Sequence, residues 1–120
     1  MRVLVDGGLG CPNEAIYRGL EACHATYGIT ELLFASSGNP ADRLAGEWCR
    51  RKRIKITKPP RITWVNMQKY RPRTAAPMRN AAMIAMKPDM LLAFKHGTGL
   101  MDMMRRAKAA GIPIVKVDFS

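Results

Sequence analysis

The sequence has little cysteine, little acid and no long hydrophobic run. Its three cysteines, Cys11, Cys23 and Cys49, are far apart and form no CxxC pair, which argues against a zinc site and favours reduced, buried or half-buried thiols. No apolar run approaches the roughly 18 to 20 residues that a transmembrane helix needs. Nothing at the amino terminus resembles a signal peptide. We therefore expect a cytoplasmic protein.

Acidic residues are scarce beside the basic ones. Nine Asp and Glu face 20 Lys and Arg, so the formal net charge is +11 and the pI is about 10.2. Such a balance favours an anionic partner: a nucleotide, nucleic acid or an acidic protein. A basic, solvated surface without a dedicated partner explains the same charge equally well.

Strand and helix signals alternate along the 120 residues, of which 48% are hydrophobic. Short apolar runs predict strands at 3–5, 31–35, 54–56, 90–94 and 112–117. Periodicities of three and four predict helices at 13–27, 41–51, 77–86 and 100–110, with Gly28 and Gly111 as carboxyl-terminal caps. This order predicts one domain over 1–120, a Rossmann-like, doubly wound α/β fold whose five-stranded, mostly parallel sheet has helices on both faces.

Two of these helices have apolar stripes that predict their inner faces. In 13–27 the stripe is Ile16, Leu20, Cys23 and Tyr27, and in 77–86 it is Met78, Ala82 and Met86.

The segment 57–74 interrupts the alternation. It is rich in proline and basic residues and is predicted to be a long basic loop, with a short strand at 62–65 as an option. Within it, 61–73 (RITWVNMQKYRPR) interleaves aromatic and cationic side chains, which is a pattern that suits single-stranded nucleic acid.

Three glycine-containing loops follow predicted strands and lead into predicted helices: 6–13, 36–42 and 95–102. In a doubly wound sheet such loops lie at the carboxyl edge, where ligands bind, and the following helix amino termini favour anions. The candidate ligand-binding residues in these loops are Gly7, Gly8, Ser36, Ser37, Asp42, His96, Gly97, Thr98 and Gly99. The alternative is structural: the glycines supply positive φ angles, and Asn39 with Pro40 begins an ordinary helix.

Arg79 and Asn80 are two further candidates, predicted in the first turn of the helix that follows the basic loop. A planar guanidinium there suits a two-pronged contact with a phosphate or carboxylate. His24, Arg43, Arg105 and Arg106 are interpreted as structural or solvated helix residues. No spacing predicts a catalytic set, a metal site or a Walker phosphate loop.

Four blocks of the chain together resemble the SLOG superfamily, and within it the small YspA or cpYpsA-related proteins. They are MRVLVDGG at the start, SSGNPADRLAGEW at 36–48, APMRNAAM at 76–83 and PDMLLAFKHGTGLMDMMRRAKAAGIPIVKV at 88–117. The resemblance covers almost the whole chain and implies a Rossmann-like fold. It also implies binding of a nucleotide or a nucleotide-derived molecule, such as an ADP-ribose relative, by the glycine loops. Arg79 and Asn80 match the family's PxRN block.

The chain departs from the family pattern at several positions. Leu9 stands where relatives have Arg, and Lys95, His96 and Leu100 replace Pro, Gly and Thr. The family's phosphoribohydrolases have a Glu at the position of Met103, and Asp102 is one residue away. The sequence therefore leaves open whether the chain is an enzyme.

These observations support one leading hypothesis and two alternatives. The leading one is a sensor or binding domain for a nucleotide-derived small molecule, without a cofactor. The alternatives are a phosphoribohydrolase-like enzyme and a basic, single-stranded nucleic-acid-binding protein that uses 61–73. A homodimer or higher homo-oligomer is compatible with each.

Overall fold

A computed structural model describes residues 1–8, 10–34, 40–57, 72–95 and 99–117, with only the backbone described at 40–42 and 72–77. Five strands and four helices alternate through the described residues. In chain order they are β1 (Arg2–Gly7), α1 (Asn13–Tyr27), β2 (Glu31–Phe34), α2 (Pro40–Lys52), β3 (Lys55–Thr57), α3 (Pro72–Ala85), β4 (Met90–Phe94), α4 (Leu100–Ala109) and β5 (Ile114–Val117).

The five strands form one parallel sheet in the order β3-β2-β1-β4-β5. The register places Leu33 of β2 and Leu91 of β4 on either side of Leu4 in β1. From β1 the chain moves outward through β2 to β3, returns past β1 to β4, and then moves outward to β5. The predicted doubly wound α/β fold is therefore confirmed.

The helices cover both faces of the sheet, as predicted. The core on one face lies under α1 and α2 and includes Ile16, Leu20, Trp48 and Phe94. The core on the other face lies under α3 and α4 and includes Met83, Met103 and Ala107. Because both faces are covered, the central strands are apolar at successive positions, and all five residues of β4 are buried.

The predicted start of α3 is wrong. The helix begins at Pro72, five residues before Pro77, and so it includes the end of the segment predicted as a loop. Either proline suits the first turn of a helix, because N–H groups in that turn have no acceptor within the helix, so the N–H that proline lacks costs no hydrogen bond. Sequence alone does not show which of the two takes that position. The strand option at 62–65 and the rest of 58–71 lie outside the described residues.

The predicted inner faces of α1 and α3 are each partly wrong. Tyr27 is 46% exposed at the end of α1, and Ile29, just beyond the helix, is buried at that end. On α3, Met78 is 38% exposed, and the fully buried residues are Asn80 and Met83. Because asparagine is polar, apolar periodicity does not identify it as a residue of the inner face.

Local predictions for the cysteines and His24 agree with the structure. All three thiols are reduced rather than joined in disulfides, Cys23 and Cys49 are buried, and Cys11 is half-buried. Burial raises the pKa of the Cys49 thiol to about 11. His24 has a structural position, because its Nδ1 accepts a hydrogen bond from the Ile29 N–H at 3.0 Å. None of the helices described is long and apolar enough to cross a bilayer.

Candidate functional site

The strand order creates a switch point between β1 and β4. The connections from these two neighbouring strands leave in opposite directions, with α1 on one face of the sheet and α4 on the other. In doubly wound sheets this divergence opens a crevice beyond the carboxyl ends of the strands, and ligands bind there. The loops after β1 and β4 are two of the three predicted from sequence.

The end of β1 is packed tightly against the end of β4. Gly7 has φ +85° and Gly8 has φ +95°. A Cβ on Gly7 would lie 1.9 Å from the carbonyl oxygen of Phe94, which no side chain can tolerate. The structural interpretation of Gly7 is thereby supported: the glycine allows the two strand ends to approach.

Cys11 reaches across the crevice from the β1 loop. Its Sγ–H donates to the carbonyl oxygen of Lys95, at the end of β4, over 3.4 Å. Its backbone N–H donates to the carbonyl oxygen of Gly8 at 3.1 Å, which closes the turn. The half-buried thiol therefore ties the two loops together at the place where a ligand would enter.

Gly99 forms the amino-terminal cap of α4. Its φ of +80° is left-handed, and it offers no side chain to the free N–H groups of the first helical turn. Its carbonyl oxygen accepts the Met103 N–H at 2.9 Å. The free N–H groups of such a helix start favour an anion.

Asn80 connects α3 to this cap. The side chain is fully buried, and its Nδ2 donates to the Gly99 carbonyl oxygen at 2.9 Å and to Asp102 Oδ2 at 3.0 Å. Asn80 and Arg79 lie about two turns into α3 rather than in its first turn, because the helix begins at Pro72. Asn80 therefore contacts the start of α4, but it approaches from the middle of a helix.

Two polar atoms of this pair are buried without a hydrogen-bond partner in the part of the chain described. They are Asn80 Oδ1, an acceptor, and Arg79 Nε, a donor. An unpaired buried polar group costs about 1 to 3 kcal/mol, so folded proteins rarely retain one without a use. A donor and an acceptor on adjacent residues, next to a helix amino terminus, match a ligand that has both an anionic oxygen and a hydrogen-bond donor.

Asp102 lies at the centre of a hydrogen-bonded cluster in the first turn of α4. It accepts from Asn80, and its carboxylate pairs with Arg105 and Arg106. Burial favours the neutral acid, but hydrogen bonds from Arg106 and Asn80 and the charge of Arg106 outweigh it and lower the pKa of the carboxyl. Asp102 is thus an ionised, structurally engaged carboxylate, and both arginines that the sequence interpretation left to solvent have a partner.

Met103 is the residue that the resemblance aligned with a Glu of the phosphoribohydrolases. It is fully buried in the core under α4. Its side chain is packed with Leu91 and Ala107 rather than directed to the crevice. Any catalytic carboxylate would have to come from another position.

Of the predicted site residues, Asn80 contacts Gly99, while Gly7 and the Gly8–Cys11 turn lie against the end of β4. Arg79 is half-buried next to Asn80 in α3. The candidates Ser36, Ser37, His96, Gly97 and Thr98 lie outside the described residues. Asp42 is described by its backbone only, in the first turn of α2.

Two acidic residues at this edge were not among the binding residues predicted from sequence, where Asp102 was considered only as a possible catalytic carboxylate. Asp6, the penultimate residue of β1, is 5% exposed and accepts the Gly7 N–H through Oδ1 at 2.8 Å. Asp102 is three residues after the Gly99 cap, a position at which an acid commonly stabilises a helix start. The only sequence signal that could have identified either residue was its position relative to a strand end or a helix cap, because neither belongs to a recognisable motif.

A groove of about 460 Å³ lies elsewhere, between α1 and the edge strand β5. Its lining includes Gly19, Ala22, Val115 and Val117. It follows one face of the sheet, whereas ligands of this fold bind beyond the strand ends. The described residues hold no group of three or more metal-binding side chains.

Comparisons with known proteins found no matching family model, no matching curated protein and no matching solved structure.

Proposed function

We propose that the crevice beyond β1 and β4 binds a nucleotide-derived anion, and that the chain is a SLOG-like sensor or binding domain. The observation that carries this proposal is the pair of unpaired buried atoms, Arg79 Nε and Asn80 Oδ1, on two adjacent residues of α3, of which Asn80 also donates to the Gly99 cap of α4. The switch-point position of that cap and the resemblance of the PxRN block support it.

Each part of the crevice suits a different part of such a ligand. The first-turn N–H groups of α4 and the Arg79 guanidinium favour phosphate oxygens. Asn80 Oδ1 has to accept a hydrogen bond, which a ribose hydroxyl or a base amine provides. A fully deprotonated anion such as sulfate has no donor for that acceptor, so Asn80 Oδ1 favours a ligand with a hydroxyl or amine beside its phosphate groups, such as an ADP-ribose-like molecule.

An enzyme is the second candidate, and Asp6 is the observation that favours it. This carboxylate lies at the switch point, 5% exposed, and glycosidic hydrolysis needs a carboxylic group near the ligand. Asp102 suits that role less well, because three donors hold it ionised. The experiment that tests binding is therefore combined with an assay for release of the base from nucleoside monophosphates.

The direct test is a thermal-shift screen of AMP, ADP, NAD and ADP-ribose at millimolar concentration. A ligand that binds only the folded protein raises its melting temperature, and saturation at about 100 times Kd adds about 2.7 kcal/mol. We expect a rise with at least one compound. The Arg79→Gln variant should lower the affinity for that ligand at least tenfold, since it removes the only charged side chain of the Arg79–Asn80 pair.

The control is Arg18→Gln, which removes an exposed arginine of α1. It should leave the affinity unchanged. If no compound raises the melting temperature, or if both variants bind as the unmodified protein does, the proposal is wrong. Release of free base that stops in Arg79→Ala would make the chain a hydrolase rather than a sensor.

A further inference from the structure

Five cations crowd the corner where α2 ends and β3 begins. Residues 50–55 read RRKRIK, and the cations Arg50, Arg51, Lys52, Arg53 and Lys55 are all exposed. We call these five residues the α2–β3 corner. It lies at the amino edge of the parallel sheet, opposite the crevice, because α2 ends where β3 starts.

Two members of the corner are held against α1. Lys52 Nζ lies 2.9 Å from Glu21 Oε1. The Arg51 guanidinium carbon lies 5.5 Å from the centre of the Tyr17 ring, and Arg51 also donates to the Tyr17 hydroxyl. These contacts fix the orientation of two cations beside the remaining three.

Arg50 and Arg53 have no ion pair and no side-chain hydrogen bond within the part of the chain that the structure describes. Lys55 is opposite Glu31 in the β2–β3 register, and its charge adds to the hydrogen bond from Thr57 in lowering the pKa of that carboxyl. The corner still carries five cations beside two acidic contacts, Glu21 and Glu31, and this excess of positive charge raises the free energy of the folded chain unless an anion binds there.

The negative end of the α2 dipole explains only part of this cluster. It favours cations in the last helical turn, which covers Arg50 to Lys52. Lys55 lies beyond the helix, in β3. Arg53 lies one residue after the helix, at a backbone conformation that disfavours any side chain.

The position of Arg53 is a left-handed cap, with φ +58°. The Ile54 N–H donates to the Cys49 carbonyl oxygen at 2.9 Å and closes the end of the helix. The residues that follow the other three helices also reach positive φ, at Gly28, Lys87 and Gly111. Glycine adopts this conformation at the least cost, so a cation at position 53 replaces the residue that the backbone favours.

We propose that the α2–β3 corner binds the phosphate backbone of a nucleic acid, independently of its sequence. Arginine presents a planar fork that matches phosphate, and a polymer of phosphates satisfies several cations at once. In the described part of the chain, the exposed large apolar residues Met1, Tyr27, Met78 and Met101 all lie outside 50–55. A protein partner would need an apolar centre to its interface, which this corner lacks.

This surface is separate from the proposed nucleotide site. The two lie at opposite ends of the strands, roughly 15 Å apart for strands of four to six residues at about 3.3 Å per residue. A small ligand in the crevice therefore leaves the corner accessible. Failure of one proposal leaves the other intact.

The test measures binding of fluorescein-labelled oligothymidylate, 20 nucleotides long, by anisotropy between 50 and 300 mM NaCl. The corner variant combines Arg50→Gln, Arg53→Gly and Lys55→Gln. The matched control combines Arg18→Gln, Lys87→Gly and Lys108→Gln, which removes the same charge from exposed positions elsewhere and also replaces one left-handed residue with glycine.

We expect salt-dependent binding by the unmodified protein. The corner variant should lower the slope of log K against log salt by about 2, since each phosphate contact to a single strand contributes about 0.7. The control should change the slope by less than half as much. Arg53→Gly alone should weaken binding at 100 mM salt severalfold, whereas Lys87→Gly should not.

Three results would overturn the proposal. The first is no binding at 50 mM salt by the unmodified protein. The second is an equal loss in the corner variant and the control, which would mean a general effect of net charge. The third is unchanged binding by the corner variant, which would move the interface elsewhere, for example to 61–73. Because Arg53→Gly and Lys87→Gly both relieve a left-handed residue, loss of fold cannot explain a difference between them.

Discussion

The Asn80 side chain donates a hydrogen bond to the carbonyl oxygen of Gly99 over 2.9 Å, and so couples α3 to the start of α4. The two residues come from different helices on the same face of the sheet. The helix cap nearest the crevice is therefore positioned by a buried amide rather than by its own loop alone. This coupling makes Asn80 a residue of the fold as well as a candidate ligand contact.

Replacing Asn80 should destabilise the protein. Asn80→Ala removes both donors, to Gly99 and to Asp102, and leaves a small cavity, so we expect a loss of about 2 to 3 kcal/mol in the free energy of unfolding. Urea denaturation measures it. The control is Asn13→Ala at the exposed first residue of α1, which should change stability by less than about 0.5 kcal/mol. Equal losses in the two variants would contradict this account of Asn80.

Gly7 and Gly10, two of the three glycines of the first loop, should differ in their tolerance of alanine. Gly7→Ala combines a positive φ with a clash against the Phe94 carbonyl oxygen. Gly10→Ala has a similar φ of +78° but meets no atom within 4 Å. We expect about 1 to 2 kcal/mol of destabilisation from the left-handed backbone in Gly10→Ala, and at least twice as much in Gly7→Ala. Comparable melting temperatures for the two variants would show that β1 and β4 can separate without cost.

Stability should fall in acid through Asp102. Its pKa is lowered in the folded protein, so its contribution is present above the unfolded value of 3.8 and is lost as the pH falls through the folded value. Asp102→Asn should cost about 1 to 2 kcal/mol at pH 7 and much less near pH 2.5. Urea melts at the two pH values measure this. Glu47→Gln, at an exposed position of α2, is the control and should show no such difference.

Stability should also fall in alkali through Cys49. Burial raises the pKa of this thiol from 9.0 to about 11, so the unfolded chain ionises first as the pH rises. The stabilisation is complete below about pH 9 and is lost as the pH rises towards 11, by about 2 to 3 kcal/mol. Cys49→Ala should flatten that part of the stability curve relative to the unmodified protein. Parallel curves for the two proteins between pH 8 and pH 11 would contradict the prediction.

Arg53→Gly should stabilise the protein. Glycine relieves the left-handed backbone at φ +58°, which is worth about 1 kcal/mol. It also reduces the repulsion within the α2–β3 corner. Arg53→Ala removes the same charge without relieving the backbone, and so should gain less. If alanine and glycine raise the melting temperature equally, charge rather than conformation explains the gain.

Much of the fold was predictable because its signals are local. The apolar runs of β1 and β4 and the glycine after α1 lie in short stretches of chain, and each was placed correctly to within a few residues. The burial of Asn80 was not predictable, because it depends on partners in α4, far along the sequence. To predict the start of α3, one would have had to choose between two prolines, Pro72 and Pro77, whose local sequences suit a helix start equally well.

The candidate site was predictable only in outline. The loop positions pointed to Gly99 and the resemblance to Arg79 and Asn80, and the structure joins Asn80 to Gly99 by a hydrogen bond. The roles of Gly7 and Asp102 required the contacts themselves: the distance to the Phe94 carbonyl oxygen in one case and the set of three donors in the other.

The central place of β1 has a consequence for the order in which the sheet forms. During synthesis β1 can pair early with β2, but its other edge pairs with β4, where Val3 is opposite Met90. Until β4 has been made, that edge presents unpaired N–H and C=O groups and invites pairing with other chains. The crevice between β1 and β4 exists only after this late pairing. A ligand in the crevice would therefore bind only chains in which β1 and β4 are already paired.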